Sequence, residues 1–167
     1  GEILAEIEAR HLALADRLEV DFGASLTEGL EPARRLAAAA RLADEATPRM
    51  HARVMSVGEL LSTRLGAAFL ARIGVPVTWV DARSCLTSEH EASSSATYLQ
   101  AIFDDGSDEA LQGRFGTCEV VLTQGFIGRD PSGETVLLGR GGSDTSAATF
   151  AARLGAVRCE IWSDVPG

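Results

Sequence analysis

The sequence contains no lysine: all fifteen of its basic residues are arginine. A strong coding bias toward arginine accounts for most of that absence. Cysteine is sparse as well. Cys85, Cys118 and Cys159 are far apart, odd in number and form no C-x-x-C pair, which argues against a disulfide framework and against a metal ribbon. They are expected as small buried hydrophobes in a reducing compartment. Three scattered histidines make a zinc site improbable, and no metal-ligating residue is assigned. No apolar run approaches the roughly 20 residues of a membrane span, and no secretory signal opens the sequence. A concentrated basic surface is missing too. With a net charge of −9, the chain has no means of releasing counterions from a phosphate backbone, which excludes nucleic acid as an expected partner.

What remains is a chain of 167 residues, 46% hydrophobic and 23% charged, in the range of one soluble globular domain. Apolar residues at Ile3, Ile7, Leu14 and Leu18, with Leu4 and His11 alongside, predict an amphipathic helix to about Val20. Gly23–Gly29 reads as a loop, followed by an alanine-rich helix that Pro32 opens and Thr47-Pro48 breaks. A longer helix is expected from about Met55, with Ser56 as N-cap and Glu59 three residues on in the form of a capping box. Gly74 ends it. Val75–Val80 then reads as a short buried strand, with Asp81 at its carboxyl end.

The serine-rich stretch from Ser84 to Ser95 is expected as an exposed loop or irregular strand, and Asp104–Asp108 must turn. Glu119–Ile127 and Glu134–Leu138 read as strands joined into a hairpin by the tight turn Asp130-Pro131-Ser132-Gly133. Ser143 is expected to cap a helix from Asp144 to about Leu154. A last strand, Val157–Trp162, then places Trp162 in the core. Alternating helices and strands predict an α/β layered sheet.

Chemistry concentrates in Leu138-Gly-Arg-Gly-Gly-Ser-Asp-Thr-Ser-Ala-Ala148. A strand delivers this glycine-rich turn into a helix N-terminus. There the backbone can approach an anion closely, and the first-turn N–H groups are unpaired. Arg140 can grip a carboxylate bidentately beside it. A plain connection whose glycines only permit the turn is the simpler account, but it gives no use to both Arg140 and Asp144 unless they pair with each other on the surface. Glu59 is either a helix-capping acid or a receptor for a substrate ammonium. Ser163-Asp164 is either a turn initiator or a pair of ligands at a strand's carboxyl edge. The two glycines of Thr123-Gln124-Gly125-Phe126-Ile127-Gly128 suggest a bulge or a close backbone approach to ligand.

Taken in order, Ser-Val-Gly-Glu-Leu-Leu-Ser, Asp81-Ala82-Arg83, Thr-Gln-Gly-Phe-Ile-Gly, Leu-Gly-Arg-Gly-Gly-Ser-Asp-Thr-Ser-Ala-Ala and Ile-Trp-Ser-Asp-Val-Pro-Gly resemble the aspartate kinases of the amino acid kinase family. The resemblance runs from about Val54 to the end. It implies a three-layer α/β/α sandwich of the carbamate kinase-like type, here incomplete, with residues 1–167 forming part of the catalytic domain. The implied reaction moves the ATP γ-phosphate to the side-chain carboxylate of L-aspartate and opens lysine, threonine and methionine biosynthesis. Mg2+ would be carried mainly on the nucleotide. Glu59 then resembles the acid that receives the substrate ammonium, and Arg140 the arginine on a substrate carboxylate. Asp144 resembles the acid that organises substrate and catalytic lysine. Gly141, Gly142 and Ser143 border the phosphates, and Ser163 and Asp164 begin the nucleotide segment, where the family more often has threonine than serine.

The family's Lys-Phe-Gly-Gly-Thr strand, with its phosphate loop and lysine, has no match in the sequence, nor do the rest of the nucleotide site and the regulatory domains. Phosphoryl transfer usually sets a lysine against the moving phosphate, so the chain alone is expected to be inactive. The intact enzyme is expected to be a cytoplasmic homo-oligomer with no nucleic-acid or membrane partner. A related kinase acting on another small acid, or a non-catalytic ligand-binding domain, would share part of this pattern.

Overall fold

The structure, a computed structural model, describes residues 2–162. It falls into two compact units. One holds the residues up to Asp81 together with Cys118–Gln124, and the other holds Ala82–Thr117 together with the residues from Gly125 onward.

Three helices dominate the first unit: α1 (Glu2–Arg17), α2 (Gly23–Ala43) and α3 (Pro48–Arg72). Their shared core contains Ala15, Phe22, Leu26, Leu30, Ala33, Val57, Leu61 and Leu65, all nearly inaccessible to solvent. Each large side chain there contributes about 1.5–3 kcal/mol by leaving water. The apolar stripe of α1 is turned slightly from the expected one. Leu4, Ile7 and Leu18 pack on this core, whereas Ile3 and Leu14 are exposed.

The expected loop at Gly23–Gly29 is helical instead. Phe22, Leu26 and Leu30 fall on one face at helical spacing, and burying them outweighs the poor helix propensity of two glycines. Gly29 has a packing reason as well, because a Cβ there would lie 2.5 Å from the Leu61 side chain. Pro32 therefore sits inside α2 rather than at its start. The helix ends at Asp44, whose φ of 50° and N–H bond to the Ala40 carbonyl close it.

Helix α3 also begins earlier than expected. Thr47 is its N-cap, accepting a hydrogen bond from the Met50 N–H at 3.3 Å, with Pro48 at the first helical position. Ser56 is not a cap: it is buried in mid-helix and donates to the Arg53 carbonyl. At 25 residues α3 is long and apolar enough by composition to cross a bilayer, although no continuous apolar run of that length occurs in it. A core helix passes the same test, and this one packs its buried stripe on α2 and its later turns on β1.

β1 (Val77–Trp79) pairs in parallel with β2 (Val120–Leu122), Val77 facing Val120. The pairing continues one residue on, through the bond from the Val80 N–H to the Leu122 carbonyl.

In the second unit, β3 (Ile127–Arg129) and β4 (Thr135–Leu137) form an antiparallel hairpin. The expected continuous strand from Glu119 to Ile127 is thus two strands in two sheets, divided where Gln124-Gly125-Phe126 leaves extended geometry. A 3-10 turn (Ala82–Ser84), short helices α4 (Ser95–Leu99) and α5 (Glu109–Phe115), and α6 (Gly142–Leu154) complete the unit. Asp108 caps α5 through the Leu111 N–H and pairs with Arg153 of α6. Val157–Trp162 forms no ladder among the described residues. Trp162 is 87% exposed, so it is not a core residue. Of the cysteines only Cys85 is buried; Cys159 is exposed.

The hairpin tip is organised by Asp130, itself 1% exposed. Its carboxylate accepts from the Ala92 and Glu134 N–H groups and the Ser132 hydroxyl, tying the serine-rich loop to the turn. Burial pushes its pKa up, but these hydrogen bonds outweigh burial and hold the carboxyl below its ordinary value. A depressed folded pKa gives stability that is complete above about pH 4 and lost as pH falls through the folded value. Asp130→Asn should therefore cost roughly 1–3 kcal/mol at pH 7, with the difference from wild type shrinking below about pH 4 in urea unfolding.

Candidate active site

Two glycine-bearing segments meet in the second unit. Gly139 and Gly141 both have positive φ, 76° and 71°, a region costly to any residue with a side chain. They turn the chain sharply enough for Gly141 to take the N-cap position, so that α6 starts at Gly142. Ser143 is therefore not the cap. It lies exposed in the first turn, without a side-chain capping bond. The amides of Ser143 and Asp144 have no backbone acceptor among the described residues, whereas the Thr145 N–H reaches the Gly141 carbonyl. Open first-turn amides of this kind suit an anion.

Arg140, Ser143 and Asp144 are all exposed on this turn. The surface ion pair that could have explained Arg140 and Asp144 structurally is not formed, and neither side chain has a partner among the described residues. Thus Arg140, Gly141, Gly142, Ser143 and Asp144 are brought together on one turn. Ser163 and Asp164 lie outside the described residues.

Gly125 and Gly142 make close approaches to neighbouring protein segments. A Cβ on Gly125 would stand 3.0 Å from the Ser143 Cα, and one on Gly142 would stand 2.8 Å from the Phe126 ring.

In the first unit, Glu59 lies in the middle of α3, half-buried, and is not a capping residue. No hydrogen bond or ion pair takes its carboxylate among the described residues, and burial pushes its pKa up. One turn on, the Thr63 hydroxyl donates to the Glu59 carbonyl at 2.8 Å. It accepts from the Trp79 indole at 3.1 Å and from the buried Gln124 amide at 2.7 Å. The Arg64 guanidinium lies over the Trp79 ring, 4.9 Å from its centroid. Thr63 was not singled out from the sequence, although its spacing of four from Glu59 places it on the same helix face.

A cavity of about 210 Å³ in the second unit is lined by Ser88, Glu89, His90, Thr97, Gln100 and Ile102, and by none of the turn residues. Its hydroxyls are already engaged: Ser88 bonds the His90 carbonyl, and Thr97 closes a capping box with Ser94.

The sequence profile of the amino acid kinase family matches residues 5–167. The chain belongs to that family. Among curated amino acid kinase relatives, it is 38% identical to lysine-sensitive aspartokinase 3 of Escherichia coli over 83% of this chain and 30% of that protein. It is 41% identical to the bifunctional aspartokinase/homoserine dehydrogenase 2 of the same organism over 71% of this chain and 14% of that protein. The crystal structure of E. coli aspartokinase III in complex with aspartate and ADP superposes with a TM-score of 0.82 at 32% identity. That match covers 99% of this chain and 37% of that one. The chain thus spans less than a third of the length of these two curated relatives. Its fold is the amino acid kinase α/β fold, of which it forms a part.

A desolvated carboxylate without a partner costs stability where it is ionised. Because the folded pKa of Glu59 is raised, its favourable contribution is complete below the unfolded value and lost as pH rises through the folded one. Glu59→Gln should accordingly raise the unfolding midpoint at neutral pH, and the gain should vanish as pH falls below about 4. A lower midpoint at neutral pH would mean that Glu59 has a structural partner.

Proposed function

We propose that the protein transfers the γ-phosphoryl group of ATP to the side-chain carboxylate of L-aspartate, giving aspartyl phosphate, and that residues 1–167 are part of its catalytic domain. The observation that carries this reading is the turn at Gly139–Asp144: an exposed, unpaired guanidinium beside open first-turn amides. The curated relatives named as aspartokinases, and the related structure holding aspartate and ADP, support it.

In the transfer, an oxygen of the substrate carboxylate attacks the γ-phosphorus. The new O–P bond forms as the bond to the β–γ bridging oxygen breaks, and ADP leaves with that electron pair. No proton need be removed from a carboxylate nucleophile, so catalysis rests on positioning and on charge. Arg140 holds the other carboxylate of aspartate as a two-point clamp. The Ser143 and Asp144 amides and the flanking glycines give the phosphate oxygens donors that need not reorganise. Glu59, unpaired and partly desolvated, receives the substrate ammonium, and that charge restores its ordinary ionisation. Asp144 organises the substrate and the catalytic lysine expected from the family pattern.

Among the described residues no three His, Cys, Asp or Glu side chains gather to hold an ion. Mg2+ would be carried mainly on the nucleotide's own oxygens, where it would neutralise phosphate charge. The same reading places the protein in the cytoplasm as a homo-oligomer serving lysine, threonine and methionine synthesis, without nucleic-acid or membrane partners.

In the full-length protein, Arg140→Ala should lower kcat/KM for aspartate on the order of 100-fold, the loss of a charge-assisted pair, while the KM for ATP changes only a few-fold. Equal loss on both substrates, or none, would contradict the assignment. Preference for an N-acylated acid would favour a related kinase, since an acylated amine offers Glu59 no charge. Calorimetric ligand binding without turnover would favour a non-catalytic domain.

Residues 1–167 alone, lacking lysine, should give no aspartyl hydroxamate above blank with ATP and aspartate. Turnover by this chain would show that no lysine is needed.

A further inference from the structure

Phe126 has a φ of 68°, a conformation that a bulky side chain rarely adopts. The Ile127 N–H bonds the Gly125 carbonyl at 2.9 Å across it, so Phe126 is the centre of a three-residue turn of the strained, positive-φ kind. Strain of this sort persists only where the surroundings over-determine it, and it concentrates at functional sites. Here the surroundings are specific. The Phe126 carbonyl accepts from the Leu138 N–H at 2.9 Å, and its N–H donates to the Ser146 hydroxyl at 2.8 Å. The same hydroxyl donates to the Gly142 carbonyl at 2.6 Å, and Ser146 is 1% exposed. Phe126 and Gly142 are in contact so tight that only glycine fits.

We propose that Ser146 is a positioning residue for the transfer reaction. Its buried hydroxyl locks the strained turn at Phe126 to the first turn of α6, fixing where the Gly139–Asp144 backbone presents its anion-binding amides. Resting on the function proposed above, this assigns a role to a residue whose buried hydroxyl is taken up by protein partners. A mid-helix serine bonded to the carbonyl four residues back slightly disfavours a helix, and alanine has the higher propensity. If Ser146 were only a helix residue, Ser146→Ala would leave the protein unchanged or slightly more stable. If it is the lock, the same change frees the Phe126 N–H and lets the two segments drift. Misplacement of about 1 Å can cost roughly 100-fold in rate.

The test compares full-length wild type, Ser146→Ala and Ser146→Thr, which keeps the hydroxyl. Amide hydrogen exchange read by mass spectrometry should be about tenfold or more faster in Ser146→Ala for peptides covering residues 124–128 and 139–145. It should be unchanged for the end of α6, residues 150–155. The kcat with aspartate and ATP should fall about 10–100-fold while KM for aspartate stays within about threefold, and Ser146→Thr should recover most of it. Uniform exchange along α6, or wild-type kcat per folded molecule in Ser146→Ala, overturns the proposal. If Ser146→Thr fails to fold, the exchange pattern of Ser146→Ala decides alone. Should wild type turn over no aspartate while Ser146→Ala still loosens only these two segments, the substrate assignment fails and the lock stands.

Discussion

The second unit depends on two backbones passing each other at van der Waals distance. Gly125 lies against Ser143, and Gly142 against Phe126. Side chains at those two glycines would force the segments apart by a few tenths of an ångström, since ordinary contacts of a Cβ begin beyond the 2.8 and 3.0 Å found here. The glycines of the turn therefore divide into two kinds. Gly139 and Gly141 are required by their backbone torsions, and Gly142, with Gly125 opposite, by the absence of a side chain. Because the two segments leave the same open end of the β3–β4 hairpin, one before β3 and the other after β4, its register (Ile127 against Leu137) is what delivers them to the same place. A one-residue slip would present the opposite faces and undo the contact.

How much of this was legible beforehand depends on how local the information is. The Asp130-Pro131-Ser132-Gly133 turn, the ending of α3 near Gly74 and the closing of α6 at Gly155 could be read because torsion-restricted residues fix them within a few positions. The division of Glu119–Ile127 between two sheets could not. Its apolar run is continuous, and only the partners, β1 for Val120–Leu122 and β4 for Ile127–Arg129, separate its halves. Gly23–Gly29 misled for the opposite reason. Two glycines signalled a loop locally, while the reward for helix lay in burying Phe22, Leu26 and Leu30 against a distant segment. Of the candidate residues, the Gly139–Asp144 group shares one turn because it is contiguous, whereas the bonding roles of Thr63 and Ser146 depend on partners far along the chain.

The start of α3 bears most directly on Glu59. Two competing caps lie in this stretch, and local pattern favoured Ser56, which has an acid three residues on. Thr47 takes the role instead: its hydroxyl accepts from the Met50 N–H, and Pro48 suits the first helical position, where no backbone N–H is needed. Once the helix starts there, Ser56 faces the core and Glu59 is too far from the N-terminus for its charge to be drawn by the helix dipole, which fades beyond the first turn. No capping or dipole interaction then accounts for the acid. Its carboxylate has no partner among the described residues, and burial opposes its ionisation. Meanwhile the Thr63 hydroxyl, held by Trp79 and Gln124, fixes the backbone that carries it. A rigidly placed acid whose surroundings do not satisfy it gains most from a cation brought from outside, and a primary ammonium supplies the charge and the hydrogen-bond donors together.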